Sequence, residues 1–198
     1  MKMAAPVMLV LFSFATFSIA AASQELAPSG ITEMSTSNAV VENPTLSFEE
    51  IAQQHIQSPK MVGEARLKIL FWNIYDAKLS AADGEWHKDA PIALSLTYLR
   101  DFDGEDIASR SVDEMRKIGY EDEVLLAKWY EQMRSVFPNV KKGENITGVL
   151  DKNKYTHFYY QGKLLNSIDD VSFGQSFFDI WLHEKSSEPK MRKQLLGL

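Results

Sequence analysis

GEARLKILFWNIYDAKLS, residues 63–80, is dense in β-branched and aromatic side chains. Such a run fits a pleated, half-buried surface and predicts strand. ADGEWHKDAP (82–91) supplies turn residues, and IALSLTYLR (92–100) alternates, with Leu94, Leu96, Tyr98 and Arg100 on one face. The period then changes. In EDIASRSVDEMRKIG (105–119), Ile107, Ala108, Val112, Met115 and Ile118 form a helical apolar stripe, and Gly119 marks its stop. EDEVLLAKWYEQMRSVFP (121–138) predicts a second amphipathic helix with an acidic start.

Three short strands follow, ITGVL (146–150), YTHFYY (155–160) and LLNSI (164–168), separated by the turns DKNK and QGK. Phe173, Phe177, Ile180 and Trp181 then fall at i, i+4, i+7 and i+8, one face of a helix. Ser187 is expected to cap a last helix with Pro189 in its first turn. Strands, two helices, strands and two helices argue for an α+β domain, an antiparallel sheet with helices packed on one face, rather than a βαβ repeat. The aromatic stripe reads first as core.

Upstream, LSFEEIAQQHIQSP (46–59) predicts a short helix, with Ser47 and Glu50 at capping-box spacing. Residues 23–46 are rich in Ser, Thr, Pro and Asn without a period and read as a flexible leader. Residues 1–22 have one cation at Lys2, an apolar run, and small residues at Ala20–Ala22, the layout of a cleaved secretory signal. The expected organisation is therefore signal 1–22, leader 23–46 and domain 47–198, with a periplasmic location and no stable membrane anchor after cleavage.

The chain has 198 residues, 45% of them hydrophobic and 24% charged, enough for one soluble domain. Its formal charge of −6 becomes −7 when Lys2 leaves with the signal. An acidic exported protein is a poor ligand for nucleic acid. The chain has no cysteine, so its stability must come from the core. It holds no phosphate-loop, dinucleotide, nucleophile-elbow or zinc-protease motif, and no cofactor is expected. His55, His87, His157 and His183 lack metal-ligand spacing. Asp169–Asp170 stand where a helix begins and read as caps. What remains is a set of polar groups among apolar strands: Arg66, Tyr75, Tyr98, Arg100 and Tyr159. An arginine and a tyrosine converging in an apolar cleft would clamp a carboxylate or phenolate.

Gly63-x-x-Arg66-Leu67, the run Ile74–Leu79 (IYDAKL), and Ala93-Leu94-x-Leu96-x-Tyr98 resemble the chalcone isomerase-like domain of exported bacterial proteins. FPNVKKG (137–143), FFDIWL (177–182) and SEPKMRKQLLG (187–197) extend the resemblance from Val62 to Leu198. It implies a large antiparallel sheet, helices on one face and a ligand cleft between them. Plant chalcone isomerases use an arginine and a threonine on early strands, with a tyrosine, a lysine and an asparagine near the first long helix. The resemblance sets Arg66 and Tyr75 at the first pair, and Ile107, Arg110 and Glu114 at the last three. Isoleucine donates no proton, so isomerase chemistry of the plant type is not expected. Fatty-acid-binding relatives hold a carboxylate with an arginine and a tyrosine, which Arg66 and Tyr75 resemble. Nine residues apart, these two would lie about 30 Å apart on one strand, so only a tight hairpin near Leu70–Trp72 would join them. The expected function is binding of a small amphipathic ligand such as a fatty acid. The alternatives are an isomerase of the intramolecular lyase type on a non-flavonoid substrate, and an interaction protein with a filled cleft.

Overall fold

A computed structural model describes residues 45–198. The expected signal and nearly all of the expected leader lie outside them. The run 63–80 is not one strand but two. β1 (Pro59–Ile69) turns at Leu70–Phe71 into β2 (Trp72–Ala82), pairing Ile69 with Trp72 and Arg66 with Asp76. The register slips between Leu67 and Lys68, opposite Tyr75 and Asn73, so Ile74 is an extra residue in β2.

β3 (Ile92–Tyr98), β4 (Asn145–Leu150), β5 (Thr156–Tyr160) and β6 (Lys163–Ile168) complete a six-stranded antiparallel meander in sequence order. Helices α2 (Gly104–Ile118) and α3 (Glu123–Val136) are inserted between β3 and β4, and α4 (Val171–Leu182) and α5 (Pro189–Leu195) follow β6. Each stop has a local cause. Gly119 closes α2 at φ 114°, a left-handed conformation cheap only for glycine. Asp170 caps α4 by accepting from the Ser172 amide. Ser187 does not cap α5. Glu188 holds that position, and the Ser187 hydroxyl donates instead to Glu114 at 2.5 Å.

The aromatic stripe of α4 packs on the sheet. Phe173 and Phe178 are fully buried, Phe177 meets Phe158 edge to face at 5.2 Å, and Trp129 of α3 meets Phe173 at 5.9 Å. Each such side chain stabilises the fold by roughly 1.5–3 kcal/mol. α5 lies against β1 at Gly63, where a side chain's Cβ would stand 2.3 Å from the Gln194 carbonyl oxygen.

One helix takes the other face. α1 (Phe48–His55) starts with the expected capping box, Ser47 N–H donating to Glu50 at 2.8 Å and Glu50 N–H to Ser47 Oγ at 3.2 Å. Its Ile51 and Ala52, with Ile56 just beyond it, pack on Ala93, Val149 and Tyr159 and form a second small core.

Candidate functional site

Between the main-helix face of the sheet and α2, α4 and α5 lies a cavity of about 410 Å³. Its floor is Leu67, Tyr75, Leu96, Tyr98 and Ile146, and its walls include Ile107, Phe177, Ile180, Trp181 and Met191. The stripe of α4 therefore serves twice, as core and as lining. Charged groups gather on one side, where α2 supplies Asp106, Arg110 and Glu114, the N-cap of α5 supplies Glu188 and α5 itself Arg192. Asp106 and Arg110 are exposed and Glu188 and Arg192 half-buried, which makes that side the mouth.

The bulge at Ile74 lets two consecutive residues, Ile74 and Tyr75, line the cavity. The Tyr75 hydroxyl accepts from Trp181 Nε1 at 2.9 Å, and its own proton has no acceptor among the described residues. Tyr98 stands beside it, ring centroids 6.1 Å apart and edge on. The Tyr98 residue is buried, yet its hydroxyl makes no hydrogen bond to any described residue. Burial pushes both phenols well above their ordinary range, with a further push on Tyr75 from Glu188 and Glu114. Both are therefore proton-carrying donors at neutral pH.

At the mouth, burial alone would raise the Glu114 carboxyl. Hydrogen bonds from Ser187 and Lys117 and the charge of Arg110 outweigh it and hold Glu114 below its usual range. Arg110 reaches Glu114 at 2.6 Å. Arg192 Nε donates to the Leu182 carbonyl at 2.8 Å, which fixes α5 to the end of α4. Glu114 is ionised and held by three partners, so it is a poor general base. The cavity offers hydrogen-bond donors, a mouth of three carboxylates and two guanidinium groups, and apolar walls, which suits holding an amphiphile more than moving a proton.

Of the five residues singled out in the sequence, Tyr75 and Tyr98 meet in this cavity and three lie elsewhere. Arg66 is diagonal to Tyr75 across the hairpin but on the opposite face. Strand parity puts its neighbour Leu67 into the cavity, and Arg66 instead pairs with Asp76, Nε to Oδ1 at 2.5 Å. The Arg66–Tyr75 clamp therefore does not form. Arg100 is exposed at the hairpin end, its guanidinium 4.1 Å above the Trp72 ring. Tyr159 is under α1 on the far face and bonds His55 Nε2 at 2.8 Å. His55 stacks on His157, which bonds Ser167 at 2.7 Å and Asp151 at 3.1 Å. Asp151 also accepts from the Asn153 and Tyr155 amides, so that group braces the β4–β5 turn.

Ile107, Arg110 and Glu114, which the family resemblance had aligned with plant catalytic positions, all line the cavity. Ser187, Glu188 and Arg192 were missed. Their only sequence signal is polar residues flanking the start of an amphipathic helix, which ordinary capping also explains.

A protein of Haemophilus influenzae, described as uncharacterized, is 25% identical over 129 residues, covering 64% of this chain. The match spans 62% of that relative's own length. The crystal structure of the Arabidopsis thaliana fatty-acid binding protein AtFAP1 superposes with a TM-score of 0.54 at 14% identity, over 71% of this chain and 87% of that one. At that identity the likeness is one of fold, the open antiparallel sheet with helices laid across it. The sequence profile described as chalcone isomerase-like matches residues 66–197, and the chain belongs to that family.

Proposed function

We propose that this protein is a non-catalytic binder of a small amphipathic ligand, a fatty acid being the best fit. The observation that carries the reading is an apolar cavity of about 410 Å³ lined by a tyrosine, Tyr98, whose hydroxyl has no partner among the described residues. The volume falls within the roughly 300–1,000 Å³ of small-molecule sites. An acyl chain would lie against Leu67, Leu96 and Phe177, and its polar head would take hydrogen bonds from Tyr98 and Tyr75. Binding of fatty acid by the structurally similar plant protein supports the same class of ligand. The cleft is open, which disfavours the interaction protein with a filled cleft. Ile107 in the cavity wall and the engagement of Glu114 by three partners disfavour the isomerase. We further propose export to the periplasm, on the strength of the layout of residues 1–22.

Native mass spectrometry of the full chain with a long-chain fatty acid in excess tests the binding. One ligand per chain is expected, lost in Ile107→Trp, which fills the cavity, and kept in Arg66→Ala, which is on the other face. Bare protein at every fatty-acid concentration would overturn the reading.

A further inference from the structure

The tip of the β1–β2 hairpin breaks two local rules together. Leu70 adopts φ 54°, a left-handed conformation that costs an ordinary side chain roughly 1–2 kcal/mol and that hairpins normally give to Gly, Asn or Asp. Leu70 and Phe71 are also 86% and 97% exposed, with Trp72 at 57%. Leu70 and Phe71 neither suit the turn nor pack on the described protein, and Trp72 beside them packs only under Arg100, so the three are placed for contact outside it.

We propose that this tip inserts into the interface of a phospholipid bilayer and brings the cavity to the membrane surface. Its shape favours this occupant. A two-residue turn at the end of two strands is a protrusion, which a bilayer accepts directly. Three side chains of about 150–250 Å² each for the aromatics fall short of the roughly 800 Å² per partner of a stable protein interface. The chemistry agrees. Leu70 and Phe71 suit the acyl boundary, and Trp72 suits the headgroup level. Arg100, stacked on Trp72, and exposed Lys68 supply cations for lipid phosphates. The nearby carboxylates are occupied: Asp76 by Arg66, and Asp101 by Lys141 and the Lys142 amide. The chain is acidic overall, so the apolar tip and these local cations carry the contact.

The tip is also continuous with the cavity. Ile69 lines it, is 43% exposed, and stands opposite Trp72 in the ladder. An acyl chain leaving the bilayer would meet apolar surface from tip to floor. This cargo rests on the binding function proposed above, whereas the membrane contact itself does not.

The test uses the full chain and vesicles of phosphatidylethanolamine and phosphatidylglycerol with brominated acyl chains, which quench tryptophan they touch. The expected result is a component of quenching that Trp72→Phe removes and that Leu70→Asp/Phe71→Asp weakens by about 100-fold in vesicle concentration, roughly tenfold per apolar side chain. The readout is the difference between the parent chain and Trp72→Phe, so neither residues 1–44, which hold no tryptophan, nor Trp181 in the cavity wall produces it. Quenching that Trp72→Phe leaves undiminished, or that is unchanged in the double aspartate variant, overturns the proposal. So does tip-dependent self-association without any quenching. The double variant, at two exposed positions, should take up fatty acid from solution like the parent chain. Uptake without Trp72 quenching in the parent chain overturns the membrane contact alone, and quenching without uptake overturns the cargo alone.

Discussion

Replacing Tyr98 by Phe should weaken ligand binding while leaving the empty protein as stable as before, or more so. The opposite signs come from the hydroxyl's surroundings. Tyr98 is 4% exposed and its hydroxyl meets no described protein partner, so in the unliganded fold it faces the cavity with only water to bond. Removing it should change stability by between zero and about +1 kcal/mol, a rise in Tm of no more than roughly 2–4 °C for a chain of this size. In the proposed complex the same hydroxyl would donate to the ligand's head. A hydrogen bond to a charged group is worth about 1.5–3 kcal/mol, so affinity should fall about tenfold to 100-fold. Tyr75→Phe is the internal contrast. That hydroxyl accepts from Trp181 Nε1, and its loss leaves a buried indole donor unmet at a cost of about 1–3 kcal/mol. Thermal melts of the unliganded chains, with displacement of a fluorescent fatty acid, measure both quantities. Tyr98→Phe that lowers Tm and keeps full affinity would refute the reasoning, because the hydroxyl would then be structural.

Gly63→Ala should cost about 1–3 kcal/mol or more in chemical denaturation, because its Cβ would press on the Gln194 and Leu195 carbonyl oxygens, at 2.3 and 2.7 Å, and backbone cannot swing aside. α5 carries Met191 and Arg192 into the cavity wall, so the same variant should also bind ligand more weakly. Docking of α1 should be pH-dependent. Burial first, and the charge of His157 second, hold His55 below the usual 6.5. A group with a depressed folded value contributes stability that is present above 6.5 and is lost as pH falls from there toward the folded value. Tm measured between about pH 7.5 and 5 should therefore drop on the acid side, modestly because His55 is half exposed, and His55→Gln should flatten the drop.

Much of the architecture was legible because local chemistry and tertiary context agree. Ser47 and Glu50 announce α1, Gly119 ends α2, Asp170 opens α4, and the 3.6-residue recurrence from Phe173 to Trp181 marks a helix face that packs on a sheet. The hairpin could be placed near Leu70–Trp72 only as a condition and not from its own residues, for a reason with content. LKILFWNI offers no Gly, Pro or Asn-Gly at the bend, because the turn is made by Leu70 and Phe71, residues unsuited to it. Where turn chemistry is absent from a real turn, some other demand on those side chains has prevailed, and here that demand is exposure at the tip. The site was half legible. Tyr75 and Tyr98 could be picked out as polar groups in apolar strands, but choosing Arg66 ignored the two-residue period, which sends Leu67 and Arg66 to opposite faces. The cations at the mouth, Arg110 and Arg192, come from helices far apart in sequence, and only the closure of α5 onto β1 brings them together.

The cavity itself argues for an occupant. Its apolar lining is surface that stays uncovered in the empty protein, and covering it is worth about 25 cal/mol per Å². Larger side chains at Leu67, Ile107 or Ile146 would close it, and the chain does not carry them. Water can wet the side of Arg110, Glu114 and Ser187, but walls of Leu96, Phe177 and Ile180 give it no hydrogen-bond partner. An amphiphile answers both demands, its chain against the walls and its head on Tyr98. Linkage then makes the ligand part of the fold's stability. At 100 times its Kd it should add about 2.7 kcal/mol, visible as a Tm that climbs with ligand concentration and climbs less in Tyr98→Phe. If no amphiphile moves Tm at any concentration, the cleft is held open by water alone, and the two tyrosines are there for a different guest.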